Sequence, residues 1–168
     1  MISFRTSFIG ALFIVAAGVS RAQQPSTPPG FAPLELLVGS CWRGTFPDGK
    51  QTDEHCFEWV FDRKFVRDRH VVRGGPPYAG ETIYFWDPAS KHVAFSYWNT
   101  QGQMMNGRIE SAAGDTIVFS TLAMDANPAN AIRSTWTRVG ADRYRTHQFQ
   151  RAGDGWKELF SVEFSRTK

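Results

Sequence analysis

The sequence predicts an all-β fold: a ten-stranded antiparallel up-and-down β-barrel with at most a short helical turn near its start. Three observations carry this. Short runs of aromatic and β-branched residues alternate with polar ones. Turn signals separate the runs about every 8–12 residues, the spacing of an antiparallel sandwich or barrel. Helical patterning is nearly absent. The candidate strands are 40–46, 51–61, 64–73, 80–87, 91–98, 103–110, 115–120, 131–139, 142–151 and 156–166. Aromatic residues make up 14% of the chain, enough large rings to fill the inside of one such domain.

In chain order, residues 1–22 come first and read as a Sec-type signal peptide, not as part of the fold. Arg5 supplies the positive start, and Phe8 to Val19 is an apolar run too short to span a bilayer. Ser20-Arg21-Ala22 places small residues for cleavage after Ala22, which implies a secreted or periplasmic protein with no stable membrane anchor. Loss of Arg5 and Arg21 lowers the 19 Lys+Arg to 17, against 16 Asp+Glu, a net of about +1. The basic residues are scattered among aromatics, so the charge speaks against nucleic acid as a partner. Residues 23–33, QQPSTPPGFAP, form a Pro-rich tether, and the barrel domain occupies 34–168. Leu34 to Val38, after Pro33, has room for one helical turn that plugs a barrel end.

The first hairpin lies in GSCWRGTFPDGKQTDEHC, residues 39–56. A two-residue turn at Asp48-Gly49 pairs Cys41 with Cys56, Trp42 with His55, Arg43 with Glu54 and Thr45 with Thr52. Trp42, Gly44 and Phe46 then share an inner face with His55, Phe57, Trp59 and Phe61. The other face carries the opposite-charge pair and the threonine pair, as a solvated face should. Directly opposite residues are close enough for a disulfide, and an even cysteine count in an exported chain favours one: Cys41–Cys56. Other readings of the cysteines are weaker. Val38-Gly39-Ser40-Cys41 lies too far beyond the apolar run for lipid attachment. A zinc site lacks paired ligands, and no Cys-x-x-Cys is present.

If Asp62-Arg63 is a two-residue turn, His55 and His70 face each other on the core side of the second hairpin. Two histidines begin a metal site, but the sequence shows no evident third ligand, so no metal is expected. A three-residue turn instead breaks the pair and brings Arg67 and Arg69 inward.

The remaining breaks also carry turn chemistry: Asp87-Pro88, Thr100-Gln101-Gly102, Ala113-Gly114-Asp115, Gly140-Ala141-Asp142 and Gly153-Asp154-Gly155. Residues 121–130 form the longest loop. A turn at Gly140-Ala141 puts Ile132, Ser134 and Trp136 on one face with Arg145, His147 and Phe149. An even-length loop near Gly153-Asp154 adds Phe160, Val162 and Phe164. If that face is the lumen, Arg145 and His147 beside Trp136 suit a carboxylate or other anionic ligand. In the alternative, Tyr144, Thr146, Gln148 and Gln150 are inside and the charges are in water; a single bulge decides between the two.

Several motifs resemble those of a known group. Leu36 to Gly44, within LELLVGSCWRGTF, resembles the opening strand of lipocalin-like (calycin) families. YAGETIYFWDPASKHVAFSYWNTQGQMMNGRIE is similar to their central strands and turns, and WKELFSVEFSRTK to their closing strand. The resemblance covers residues 34–168 and is nearest to exported bacterial families of unknown function, with distant similarity to the ten-stranded nitrobindin barrels. The match departs at one point: lipocalins carry Gly-x-Trp, whereas here Ser40 and Cys41 separate Gly39 from Trp42. The resemblance implies a barrel with an internal cavity but no particular ligand.

The functional expectation is a binder of a small, partly apolar molecule, hydrophobic or amphipathic, without a cofactor. Trp42, Trp136, Arg145, His147 and Phe149 are the lumen candidates. The nitrobindin similarity implies, as an alternative, haem b on a late-strand histidine, for which His147 is the candidate. A third reading is an envelope or stress accessory protein that meets a protein partner through exposed aromatics, with Tyr84, Trp86 and Tyr97 as the patch. No hydrolase, zinc-protease or phosphate-loop motif occurs, so no catalytic residue is assigned. A luminal Tyr84, Arg145 and Glu81 would be the one catalytic arrangement to look for.

Overall fold

The computed structural model describes residues 27–28, 30–122 and 131–167. The expected signal peptide, residues 23–26 and 29 of the expected tether, and residues 123–130 of the 121–130 loop lie outside the described residues. Ten strands follow in order: β1 (Ser40–Thr45), β2 (Thr52–Val60), β3 (Phe65–Arg73), β4 (Tyr78–Asp87) and β5 (His92–Asn99). Then come β6 (Met104–Ala113), β7 (Thr116–Leu122), β8 (Ile132–Gly140), β9 (Arg143–Ala152) and β10 (Gly155–Arg166). Each pairs antiparallel with its sequence neighbour, and β1 pairs with β10 to close the barrel. Closure leaves no sheet edge, which suits short strands with one apolar face each.

The first two hairpins have the expected registers. Cys41 stands opposite Cys56, Trp42 opposite His55, and His55 in turn opposite His70. Cys41 and Cys56 form a disulfide across 4.1 Å between Cα atoms. On the same outer face Arg43 and Glu54 form an ion pair at 2.5 Å. The first loop differs in form: Gly49 N–H donates to the Phe46 carbonyl, and Phe46 N–H donates to the Gln51 carbonyl. Four residues therefore connect the strands in place of two, and an even count preserves the register. At the second turn Asp62 and Arg63 both have positive φ, the conformation of a two-residue hairpin turn. Phe61, expected inside, belongs to that turn and is exposed.

One end of the barrel is plugged. A 3-10 turn, Ala32–Leu34, is followed by Leu37, and Phe31, Leu34 and Leu37 are buried. Trp42 lies beneath this plug, donates its indole N–H to the Leu37 carbonyl at 3.1 Å, and meets the Tyr144 ring edge-on at 5.2 Å. The Arg166 guanidinium covers Trp42 at 4.4 Å and also bonds Ser40, so the two chain-distant strands β1 and β10 are tied at this seam. Burying a side chain the size of Leu34 contributes about 1.5–3 kcal/mol.

Register shifts interrupt three of the ladders: between Ile109 and Ser111, between Arg138 and Gly140, and between Glu158 and Phe160. The last two decide what faces the lumen. The shift in β8 pairs Trp136 with Thr146 and Ser134 with Gln148, one residue away from the expected register. The shift in β10 pairs Phe160 with Gln148, Val162 with Thr146 and Phe164 with Tyr144. Ile132, Ser134, Trp136, Phe160, Val162 and Phe164 face inward as expected, but their partners on β9 are Tyr144, Thr146, Gln148 and Gln150.

Candidate functional site

The lumen holds a cavity of about 560 Å³ that extends to the end opposite the plug, where Phe46, Gln51, Pro76, Pro77 and Gln101 line it among the described residues. Ten of its described lining residues are Phe, Tyr or Trp. Trp136 and Phe119 meet at 4.6 Å between ring centroids, and Tyr144 stacks on Phe164 at 5.0 Å. Phe46 and Phe160 meet edge-on at 5.5 Å near the mouth. A second recess of about 540 Å³ lies under the plug, and Trp136 and Tyr144 line both spaces.

The wall built by β2, β3, β4 and β5 is polar. Asp53 and His55 are two apart on β2 and therefore point the same way. Asp68 and His70 do the same on β3, and the β2–β3 register places His55 directly opposite His70. The two imidazoles stack at 4.8 Å with 16° between their planes. His55 Nδ1 faces the Asp68 carboxylate at 2.8 Å, and His55 Nε2 faces Asp53 at 3.1 Å. With carboxylates at both nitrogens, the ring donates from both and is an imidazolium. His70 Nδ1 donates to the other Asp53 oxygen at 3.1 Å, and the Tyr97 hydroxyl stands 3.1 Å from His70 Nε2. Tyr97 and Tyr78 hydroxyls lie 2.6 Å apart, and Asn99 Nδ2 donates to Tyr78 at 3.2 Å. The result is one continuous chain of hydrogen bonds from the floor at Asp68 to the mouth at Asn99.

Two glycines make room for this wall. Gly80 lies between His70 on β3 and Asn99 on β5; an added Cβ would stand 2.6 Å from both His70 Nε2 and the Tyr97 hydroxyl. Gly44 sits opposite Asp53, where an added Cβ would come within 2.9 Å of the Glu163 carbonyl.

The electrostatics follow from burial against pairing. Burial opposes the charge on His55, but Asp68 and Asp53 more than offset it, and its pKa is pushed up to about 10. Burial likewise works against the Asp53 carboxylate, yet hydrogen bonds from His55 and His70 hold it below the ordinary carboxylate range. Tyr97 is pushed above its usual value by burial and by Tyr78. Burial raises Tyr84 and Tyr144 as well, with Asp68 adding to both. Tyr144 has a further property: its hydroxyl is buried with no hydrogen-bond partner among the described residues.

The structure corrects most of the lumen residues expected from sequence. Trp136 lines the cavity. Arg145, His147 and Phe149 do not, because the β8 shift turns the odd positions of β9 outward. Arg145 pairs with Glu163 at 2.7 Å, and His147 pairs with Glu158 at 3.0 Å, both on the outer face. His147 therefore cannot reach a haem in the lumen. Trp42 faces inward, but the plug covers it and it is not part of the cavity wall. Tyr84 is in the lumen while Glu81 and Arg145 point away, so the possible catalytic trio does not assemble. The aromatic surface patch also dissolves: Tyr84 and Tyr97 are buried, and only Trp86 is exposed.

Sequence reasoning missed Asp53, Asp68, Tyr78 and Tyr97. The signal is present for the first two. Asp53 has the parity of His55, and Asp68 has the parity of His70, so the register that pairs the histidines also places both carboxylates inside. No known protein family and no curated protein matches the sequence.

Proposed function

We propose that this is a lipocalin-like binding protein that takes a small, partly apolar molecule into its lumen. The observation that carries the reading is the composition of the cavity: 560 Å³ of space lined by aromatic and aliphatic side chains, with one polar wall. That volume and that mixture suit a small organic ligand held by apolar contact and oriented by a few polar groups. Export to the periplasm or beyond accords with the expected signal peptide and with the Cys41–Cys56 disulfide.

The polar wall also bears on the ligand's charge. No Lys or Arg is among the described lining residues, and Asp53 and Asp68 outnumber the His55 imidazolium. With Arg145 and His147 outside, an anionic ligand loses its counter-charges. A hydrogen-bond donor or a cationic head suits this wall better. Trp136 reports on the cavity, so a fluorescence titration tests the reading with aromatic amines, alcohols and carboxylic acids of one carbon skeleton. The amine and alcohol should shift the emission at concentrations at least about tenfold below the acid. A set in which no member shifts it would overturn the binding reading, and a preference for the acid would overturn the charge argument.

A further inference from the structure

We propose that Asp53, His55 and His70 form a site for a divalent transition metal such as Zn²⁺, Co²⁺ or Ni²⁺ on the polar wall of the cavity. One donor atom from each of the three lies within 4.8 Å of the other two. The Asp53 carboxylate faces His55 Nε2 and His70 Nδ1, each at 3.1 Å. In a tetrahedral site with bonds of about 2.1 Å, neighbouring ligand atoms stand about 3.4 Å apart. The two 3.1 Å contacts run to different Asp53 oxygens, so each oxygen already stands near the required length from one imidazole nitrogen, and one donor atom of each residue lies within 4.8 Å of the others. The set closes when the stacked rings tilt toward a common point.

The nitrogens that face away from Asp53 are held as metal-bound histidines usually are, by an oxygen partner that fixes the ring and its tautomer. His55 Nδ1–H donates to Asp68 at 2.8 Å. His70 Nε2 stands 3.1 Å from Tyr97. All three ligands line the cavity, so a bound ion keeps an open position on the lumen side. Two imidazoles and one carboxylate favour ions of this borderline class over Mg²⁺ or Ca²⁺, which prefer all-oxygen sites. The protons balance simply. His55 gives up its Nε2 proton to solvent. His70 shifts its proton from Nδ1 to Nε2, where it donates to the Tyr97 oxygen. One proton leaves per ion bound.

The site shares the cavity with the proposed organic ligand but needs none. Failure of metal binding leaves the lumen reading intact, and failure of the organic titration leaves this one intact. The test is a Co²⁺ titration of the purified, chelator-treated protein. One ion should bind per chain, with visible absorption, quenching of Trp136 and release of about one proton. Asp53→Asn and His70→Ala should abolish stoichiometric binding, Asp68→Asn and Tyr97→Phe should weaken it about 10–100-fold, and His147→Ala should leave it unchanged. The unvaried protein gives an independent reading should a variant fail to fold. Bound Co²⁺ should broaden or shift the imidazole resonances of His55 and His70 and spare those of His92 and His147. No stoichiometric uptake, or uptake that follows His92 or His147, would overturn the proposal.

Discussion

Tyr97 reaches His70 across Gly80, hydroxyl to imidazole at 3.1 Å, and no side chain fits between them. Replacing Gly80 by Ala puts a methyl group 2.6 Å from both polar atoms, so one of them must move. Gly80→Ala should cost about 1–3 kcal/mol, as overpacking of a filled interior does. Tyr97→Phe should cost a similar amount, about 1–3 kcal/mol, because His70 and Tyr78 each lose a buried partner. Urea denaturation measures both. An unchanged midpoint for either variant would mean that the hydrogen-bond chain is not a structural element of the wall.

The pH dependence of metal-free protein should report His55. Its pKa rises from 6.5 unfolded to about 10 folded. Its stabilising contribution is therefore complete below about pH 6.5, falls as pH rises through the interval, and is gone above about pH 10. The groups facing it, Asp53 and Asp68, supply the opposite charge, and His70 stacks on its ring. Asp53, depressed by the same contacts, contributes above its unfolded value of 3.8 and loses that contribution as pH falls below it. Thermal melts from pH 3 to pH 11 should fall away on both sides, and His55→Gln should flatten the alkaline limb. An alkaline limb identical in the variant would assign the loss to other groups.

The outer positions of β9 should be nearly silent. Arg145 and His147 are half-exposed and paired only with surface glutamates. Exposed pairs of this kind contribute about 0–1 kcal/mol. Arg145→Ala and His147→Ala should therefore leave both stability and the Trp136 response to cavity ligands close to those of the parent. A loss of ligand response in His147→Ala would contradict the outward orientation of that strand face.

The disulfide should matter for stability and little for the cavity. Its loop spans 15 residues, for which chain entropy predicts about 3 kcal/mol. The Cys41→Ser, Cys56→Ser double variant should show that loss in chemical denaturation while ligand and Co²⁺ titrations keep their midpoints. Both sulfurs lie on the face opposite Trp42 and His55, which is why the two readouts separate.

Much of the polar wall is legible in residues 40–73, and the limits are instructive. Hairpins with even-numbered loops transmit parity, so one turn assignment orders every side chain on two strands. Turn chemistry alone therefore sets His55 against His70 and Cys41 against Cys56. The same parity carries Asp53 and Asp68 inward, but an acidic residue in a strand ordinarily reads as a solvated one, which hides them. Tyr97 reads as an outer residue in the sequence and is buried in the fold. Its strand carries apolar residues on both faces, so it has no polar stripe to orient it.

The sequence by itself determined the strand count, the antiparallel order and the disulfide, because each follows from local turn chemistry and period-two patterning; the plug it placed at 34–38 begins earlier, with Phe31 and the turn Ala32–Leu34 that the sequence assigns mostly to the tether. Only the tertiary structure decided which β9 residues see the lumen. Two register shifts, at Arg138–Gly140 and Glu158–Phe160, exchange Arg145, His147 and Phe149 for Tyr144, Thr146 and Gln148. A bulge adds one residue without a composition signal, and its position depends on how ten strands meet around a closed barrel. Of the two β9 faces that the pattern leaves open, the shifts select the uncharged one, while the β2–β3 register independently sets Asp53, His55, Asp68 and His70 on another part of the wall.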